Sequence, residues 1–176
     1  MIKDVNITIT EKDMGWAAII RETRKFCNGY TQIGYFTSGG DPRTDIAVRA
    51  VVNELGATIP VTKKMRSFWF MKFGVHLKKT IIRIPSRPFM KKTFDENQSL
   101  IYNQIYEEYG RIVDGKQNAS TALSRLGEWY VGLIKLTILK GGFKENSLFT
   151  KMLKNSSRPL INNAEMLNSA RHIEVM

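Results

Sequence analysis

Val5, Ile7 and Ile9 alternate with polar neighbours, the period of a half-buried strand. Thr10 and Asp13 stand at capping-box spacing, and Met14, Ala17, Ile19 and Ile20 follow at helical intervals to about Phe26. Asn28-Gly29 stops that helix. A second strand is predicted over Thr31 to Thr37, with Ile33 and Tyr35 on one face, before a loop at Ser38-Gly39-Gly40-Asp41-Pro42. Thr44 to Leu55 reads as an amphipathic helix closed by Gly56. Thr62 can cap a helix carrying Met65, Phe68, Trp69 and Phe73, stopped by Gly74.

Thr80 to Ile84 is a strand ending at Pro85, and a long helix follows from Asn97 to Val113. Another runs from Ala119 to Lys140, its apolar stripe formed by Leu123, Leu126, Tyr130, Leu133, Ile134 and Thr137. A short final strand is placed near Ile173 to Met176. Strands and helices do not alternate regularly enough for a parallel sheet. The pattern predicts an α+β fold, a small and mostly antiparallel sheet packed with two or more long α-helices. The domain division expected is a strand–helix extension over 1–30 and an α+β domain over 31–176.

Composition changes this picture in one respect. The apolar share of 43% in 176 residues is enough for a core, and no run approaches the roughly 20 apolar residues of a membrane span. The start lacks the basic-then-apolar order of a secretory signal, and the single cysteine, Cys27, excludes an internal disulfide. The net charge of +11 is concentrated. Between Glu54 and Asp95 there is no acidic residue, but there are ten basic ones: Lys63, Lys64, Arg66, Lys72, Lys78, Lys79, Arg83, Arg87, Lys91 and Lys92. The rest of the chain is nearly neutral. Such a block calls for an anionic partner, either phosphate or an acidic protein face.

Candidate chemistry is sparse. His76 and His172 have no second ligand-type residue one helical turn away, so the sequence predicts no metal site and no cofactor. His76 is expected near a helix end or on the basic surface, His172 at the edge of the final strand, and Cys27 in an apolar interior. Ser38-Gly39-Gly40-Asp41 lacks the lysine of a phosphate-binding loop and reads as a turn. Glu107 and Glu108 diverge by about 100° on a helix and are read as a solvated face. No catalytic residue is assigned, and the chain is read as not an enzyme. Phe68, Trp69, Phe70 and Phe73 interleave with Arg66 and Lys72, the mixture a single-strand binder uses, but the helical stripe among them is expected to be core.

Several segments carry a family resemblance. The order "QIGYF" (32–36), "VVNELGA" (51–57), "IPVTKKMRSF" (59–68), "GVHLKKT" (74–80) and "IPSRPFMKKTFDEN" (84–97) resembles the tail-completion, or virion-morphogenesis, proteins of tailed bacteriophages. "LGEWYVGLIK" (126–135) resembles that family's long helix, and "SSRPLINNAEMLNSARHIEV" (156–175) its closing "PLID-TG-x-L-x-x-S" signature. The likeness covers about 31–175. Where the family has Asp-Thr-Gly, this chain has Asn162-Asn163-Ala164, and a glycine position that needs positive φ suits alanine poorly.

The resemblance implies a non-catalytic structural protein of the virion neck, made in the host bacterial cytoplasm. It would join the DNA-filled head to the tail as one copy in a homo-oligomeric ring around the channel. Its implied partners are other neck, connector and tail proteins, with no membrane and with packaged DNA in reach where the basic block faces the channel. In "IPSRPF", Pro85 ends a strand, Pro88 fits the first turn of a helix, and Phe89 and Phe94 turn inward. Arg87 offers a fork for carboxylates or carbonyls. Pro85, Pro88, Phe89, Pro159 and Leu160 form the structural motif. The docking groups expected are Lys63, Lys64, Arg66, Lys78, Lys79, Arg83, Arg87, Lys91 and Lys92. The alternative is a nucleic-acid-binding protein that uses 55–94 on phosphates, and a metal-dependent enzyme is the third reading.

Overall fold

The computed structural model describes residues 15–37, 45–147, 150–151, 158–161 and 164–176. In chain order the elements are α1 (Trp16–Asn28), β1 (Tyr30–Gly34), α2 (Ile46–Leu55), β2 (Ala57–Pro60) and α3 (Lys63–Phe73). They continue with β3 (Ile81–Ile84), α4 (Phe89–Val113), α5 (Ala119–Lys140), α6 (Glu165–Ser169) and β4 (Arg171–Val175). β1 pairs antiparallel with β4, and β2 with β3. Small antiparallel ladders packed with long helices make this an α+β fold. The expected strand at Val5–Ile9, the Thr10–Asp13 capping box and the Ser38–Pro42 loop lie outside the described residues. Among the described residues no helix is long and apolar enough to cross a membrane.

Local capping chemistry sets most element boundaries. Asn118 accepts from the Thr121 amide at 2.8 Å and opens α5, which Gly141 closes at φ 75°. Thr62 accepts from the Met65 amide at 3.2 Å and opens α3, which Gly74 closes at φ 65°. Asp45 caps α2 by accepting from the Ala47 amide. The cap of α4 comes from elsewhere: the Glu54 carboxylate at the end of α2 accepts from the Met90 and Lys91 amides at 2.9 and 3.0 Å. An anion at that position satisfies orphan donors and meets the positive end of the helix dipole. α4 therefore begins at Phe89, eight residues before the start the sequence suggests. Asn97 marks a kink instead, with φ −123° and its side-chain amide donating to the Thr93 carbonyl at 2.7 Å.

α5 is the spine. β1, β4, α1 and α4 all pack on it, and α6 packs on α2. α1, which the sequence assigns to an N-terminal extension, lies against both α4 and α5, with Glu22 accepting from the Ala119 amide. The buried face of α5 is Ala119, Ala122, Leu123, Gly127, Val131, Ile134, Thr137 and Ile138. Leu126, Tyr130 and Leu133, expected on it, are only half-buried. The closest approach is made where small residues let the strands come near, so the deepest face is displaced from the stripe of large side chains. Ala50, Phe89, Ile134, Ile138 and Leu160 form the main cluster, with Tyr35 edge-on to Phe89 at 5.9 Å. Phe89 is wholly buried as expected, whereas Phe94 is a correction: it lies on the outer side of α4, 47% exposed.

A candidate docking arm, β2–α3–β3

The acid-free block coincides with one structural unit, the β2–β3 ladder with α3 inserted between its strands, and runs on into the first turn of α4. Its strands pair from Ala57–Ile84 to Pro60–Ile81, and the Val61 amide extends the ladder to the Thr80 carbonyl. No residue of α3 is buried. This corrects the expectation that Met65, Phe68, Trp69 and Phe73 are core: Phe68 and Phe73 are 48% and 38% exposed, and Phe70 and Met71 more so. The stripe is genuine, but a helix held by one two-stranded ladder has no facing layer to bury it against. The rings pack on one another instead, Trp69 on Phe73 at 5.0 Å and Phe68 on Trp69 at 6.2 Å. Lys72 lies over Phe68 and Phe73 at about 5.5 Å.

Arg66 shapes the connector after α3. Its guanidinium donates to the Leu77 carbonyl and, at 3.2 Å, to the Lys79 carbonyl. That fork holds 74–80 against the helix and leaves the Lys78 and Lys79 side chains outside. His76, on the same connector, is exposed, with its ring 4.5 Å from that of Phe70.

The nine expected docking groups separate into three sets. Lys63, Lys64, Lys78, Lys79, Arg83 and Lys91 are exposed, and no ion pair holds their side chains among the described residues. Arg66 and Lys92 work locally: Lys92 donates to the Gly141 carbonyl at 3.3 Å, faces the Phe143 ring at 5.0 Å and stands 3.9 Å from Glu96. Arg87 is a correction, because its side chain lies inside the fold, 4% exposed. It donates to the Lys144 carbonyl at 2.7 Å, Asn53 Oδ1 at 3.1 Å and Asn146 Oδ1 at 3.0 Å. Burial lowers its pKa. In the structural motif, Pro85 and Pro159 are half-buried, Leu160 is core, and Pro88 precedes α4 at its cap position.

Lys63 and Lys64 open α3 and Lys91 and Lys92 lie in the first turn of α4, with no acidic residue in either first turn. Cations at the positive end of a helix cost about 0.3–1 kcal/mol each at an exposed site. Glu54 offsets this at α4; among the described residues no carboxylate does so at α3.

Elsewhere, two residues depart from their expected surroundings. Cys27 is exposed on α1 rather than interior. Glu108 is fully buried rather than solvated, accepting from Gln104, from Gln117 at 2.7 Å and from Arg125 at 3.2 Å. His172 is on β4 with Ser124 Oγ 3.4 Å and Glu174 Oε1 3.7 Å from the same ring atom, Nε2. A nucleophile relay needs the carboxylate on the opposite ring nitrogen, so this group acts as a polar clamp between α5 and β4. Among the described residues no three His, Cys, Asp or Glu side chains converge to hold a metal ion. Glu54 is the functional cap that pattern reading does not single out; only the acid-free stretch beginning after it marks its position.

No protein-family model matches the chain, and no curated protein or solved structure matches it significantly.

Proposed function

We propose that this protein is a structural component of a tailed-phage virion, a neck or tail-completion protein that joins the filled head to the tail. The observation that carries the reading is the arm: a basic, acid-free unit standing on a self-satisfied helical body, with exposed aromatics between its lysines. Assembly of two preformed structures needs such a surface, since an apolar patch supplies affinity and a one-signed field supplies orientation and on-rate. The backbone at Ala164 also supports it, because its φ of 57° falls where the resembling family carries glycine.

A nucleic-acid-binding role for 55–94 is the second reading, favoured by the exposure of Phe68, Phe70 and Phe73. It stands second because base stacking needs open ring faces, and the arm's rings are already in contact with each other, with Lys72 and with His76.

Electron microscopy of particles made when this gene carries a stop codon tests the proposal. Filled heads and finished tails lying apart are the expected result, with joining restored by the wild-type chain but not by Lys78→Glu/Lys79→Glu. Intact virions would refute the joining role. Salt-sensitive retention on DNA alongside intact virions would move the second reading to first place.

A further inference from the structure

A cleft of about 810 Å³ runs along β3, lined by the arm and by Ser147 and Thr150 of the segment beyond α5. Trp69, Val75, Leu77 and Ile82 give it an apolar lining, and Lys78, Lys79 and Arg83 form its charged part. The strand register decides which backbone groups are free there. The Val61 amide bonds the Thr80 carbonyl, so Val61 and Thr80 face each other as a hydrogen-bonded pair. By alternation, Ile59–Ile82 and Ala57–Ile84 bond across the ladder, while Ile81 and Arg83 turn their N–H and C=O groups to the outer edge of β3. The opposite edge is blunted, because the outward positions of β2 include Pro60, which has no N–H. Among the described residues no hydrogen bond occupies this edge of β3, and the cleft lies beside it.

We propose that this edge binds an extended segment of a partner protein in which acidic residues alternate with apolar ones. The segment adds as a third strand to β2–β3, exchanging main-chain hydrogen bonds with Ile81 and Arg83. Its apolar side chains enter the cleft toward Trp69 and Leu77, and its carboxylates meet Lys78, Lys79 and Arg83. Main-chain bonds of this kind give affinity and the alternate pockets give specificity. Charge complementarity selects the partner: no carboxylate lies between Glu54 and Asp95, so the arm itself attracts an acidic segment and gives a basic one nothing to pair with. The inference deepens the docking role of the arm, and it is tested without virions, so either can fail alone.

The test uses the full chain and a labelled synthetic peptide of about eight residues, the length of an ordinary strand, alternating Glu or Asp with Leu or Val. A lysine-for-acid version and a short oligothymidylate are the comparison probes. Fluorescence anisotropy is expected to show binding of the acidic peptide alone, with hydrogen-exchange protection appearing at the Ile81 and Arg83 amides. Arg83→Pro removes the outward N–H, and Lys78→Glu/Lys79→Glu reverses the charge without touching the ladder. Each is expected to weaken binding at least about ten-fold. Equal binding of both peptides, protection elsewhere, or binding of the oligothymidylate alone would overturn the proposal.

Discussion

The His172 ring on β4 lies so close to Gly127 on α5 that a Cβ at residue 127 would stand 2.5 Å from two of its carbons. This contact sets the distance between the spine helix and the β1–β4 ladder. Gly127→Ala is therefore expected to destabilise the fold by about 1–3 kcal/mol through overpacking. Gly132, on the same helix, has nothing within 4 Å of its missing Cβ. There the same substitution is expected to stabilise by about 0.8–1 kcal/mol through helix propensity. Urea unfolding of both variants checks the pair, and opposite signs are the outcome required. His172→Ala should rescue Gly127→Ala only in part, since the His172 Cβ itself is 2.8 Å from the added methyl.

Arg87 ties two distant segments to its own through one buried fork, Asn53 on α2 and Lys144 and Asn146 beyond α5. Removing it leaves several inward-facing oxygens without donors. Arg87→Ala is expected to cost about 3 kcal/mol or more, and Arg87→Lys most of that, because an ammonium cannot reproduce the planar fork. Thermal or urea unfolding reads both. A loss in Arg87→Lys under about 0.5 kcal/mol would show that charge alone suffices.

Tyr35 packs on Phe89 with its hydroxyl buried and without a partner among the described residues. Burial, and then the Glu54 charge, push its pKa well above the usual phenol value of 10. The sign follows from the direction: in the unfolded chain the phenol ionises from about pH 10, while in the folded chain it stays neutral. Its contribution is thus complete below pH 10 and falls away as the pH rises beyond it. Tyr35→Phe is expected to hold or raise stability at pH 8 by up to about 1 kcal/mol and to reduce the decline between pH 10 and 11. Guanidinium unfolding at both pH values measures this.

Ala164 is the single non-glycine residue with positive φ among the described residues. A left-handed alanine costs about 1–2 kcal/mol, whereas glycine adopts that backbone freely. Ala164→Gly is therefore expected to stabilise by about 0.5 kcal/mol, the relief exceeding the extra entropy of the unfolded chain. In an ordinary helical position the same change would destabilise by about 1 kcal/mol, so the sign of the shift in urea midpoint is the discriminating result.

The sequence by itself determined what is settled within a few residues. The cap at Thr62, the stops at Gly29, Gly56, Gly74 and Gly141, the span of α5 and the position of the charge block all follow from neighbouring residues. Such signals are legible because the groups that satisfy each other are a turn apart. Tertiary structure decided which faces have something to pack against. The stripe of α3 and Phe94 have no opposing layer and stay outside, while Glu108 and Arg87, charged and read from sequence as surface groups, are buried. Each of those two is enclosed by partners up to tens of residues away: Gln117 and Arg125 for Glu108, Asn53 and Lys144 for Arg87. Burial of a charge depends on whether distant groups arrive to replace its water, and no local pattern records that. The same reason separates the docking set, since six of its cations remain in solvent and Arg87 is taken into the fold.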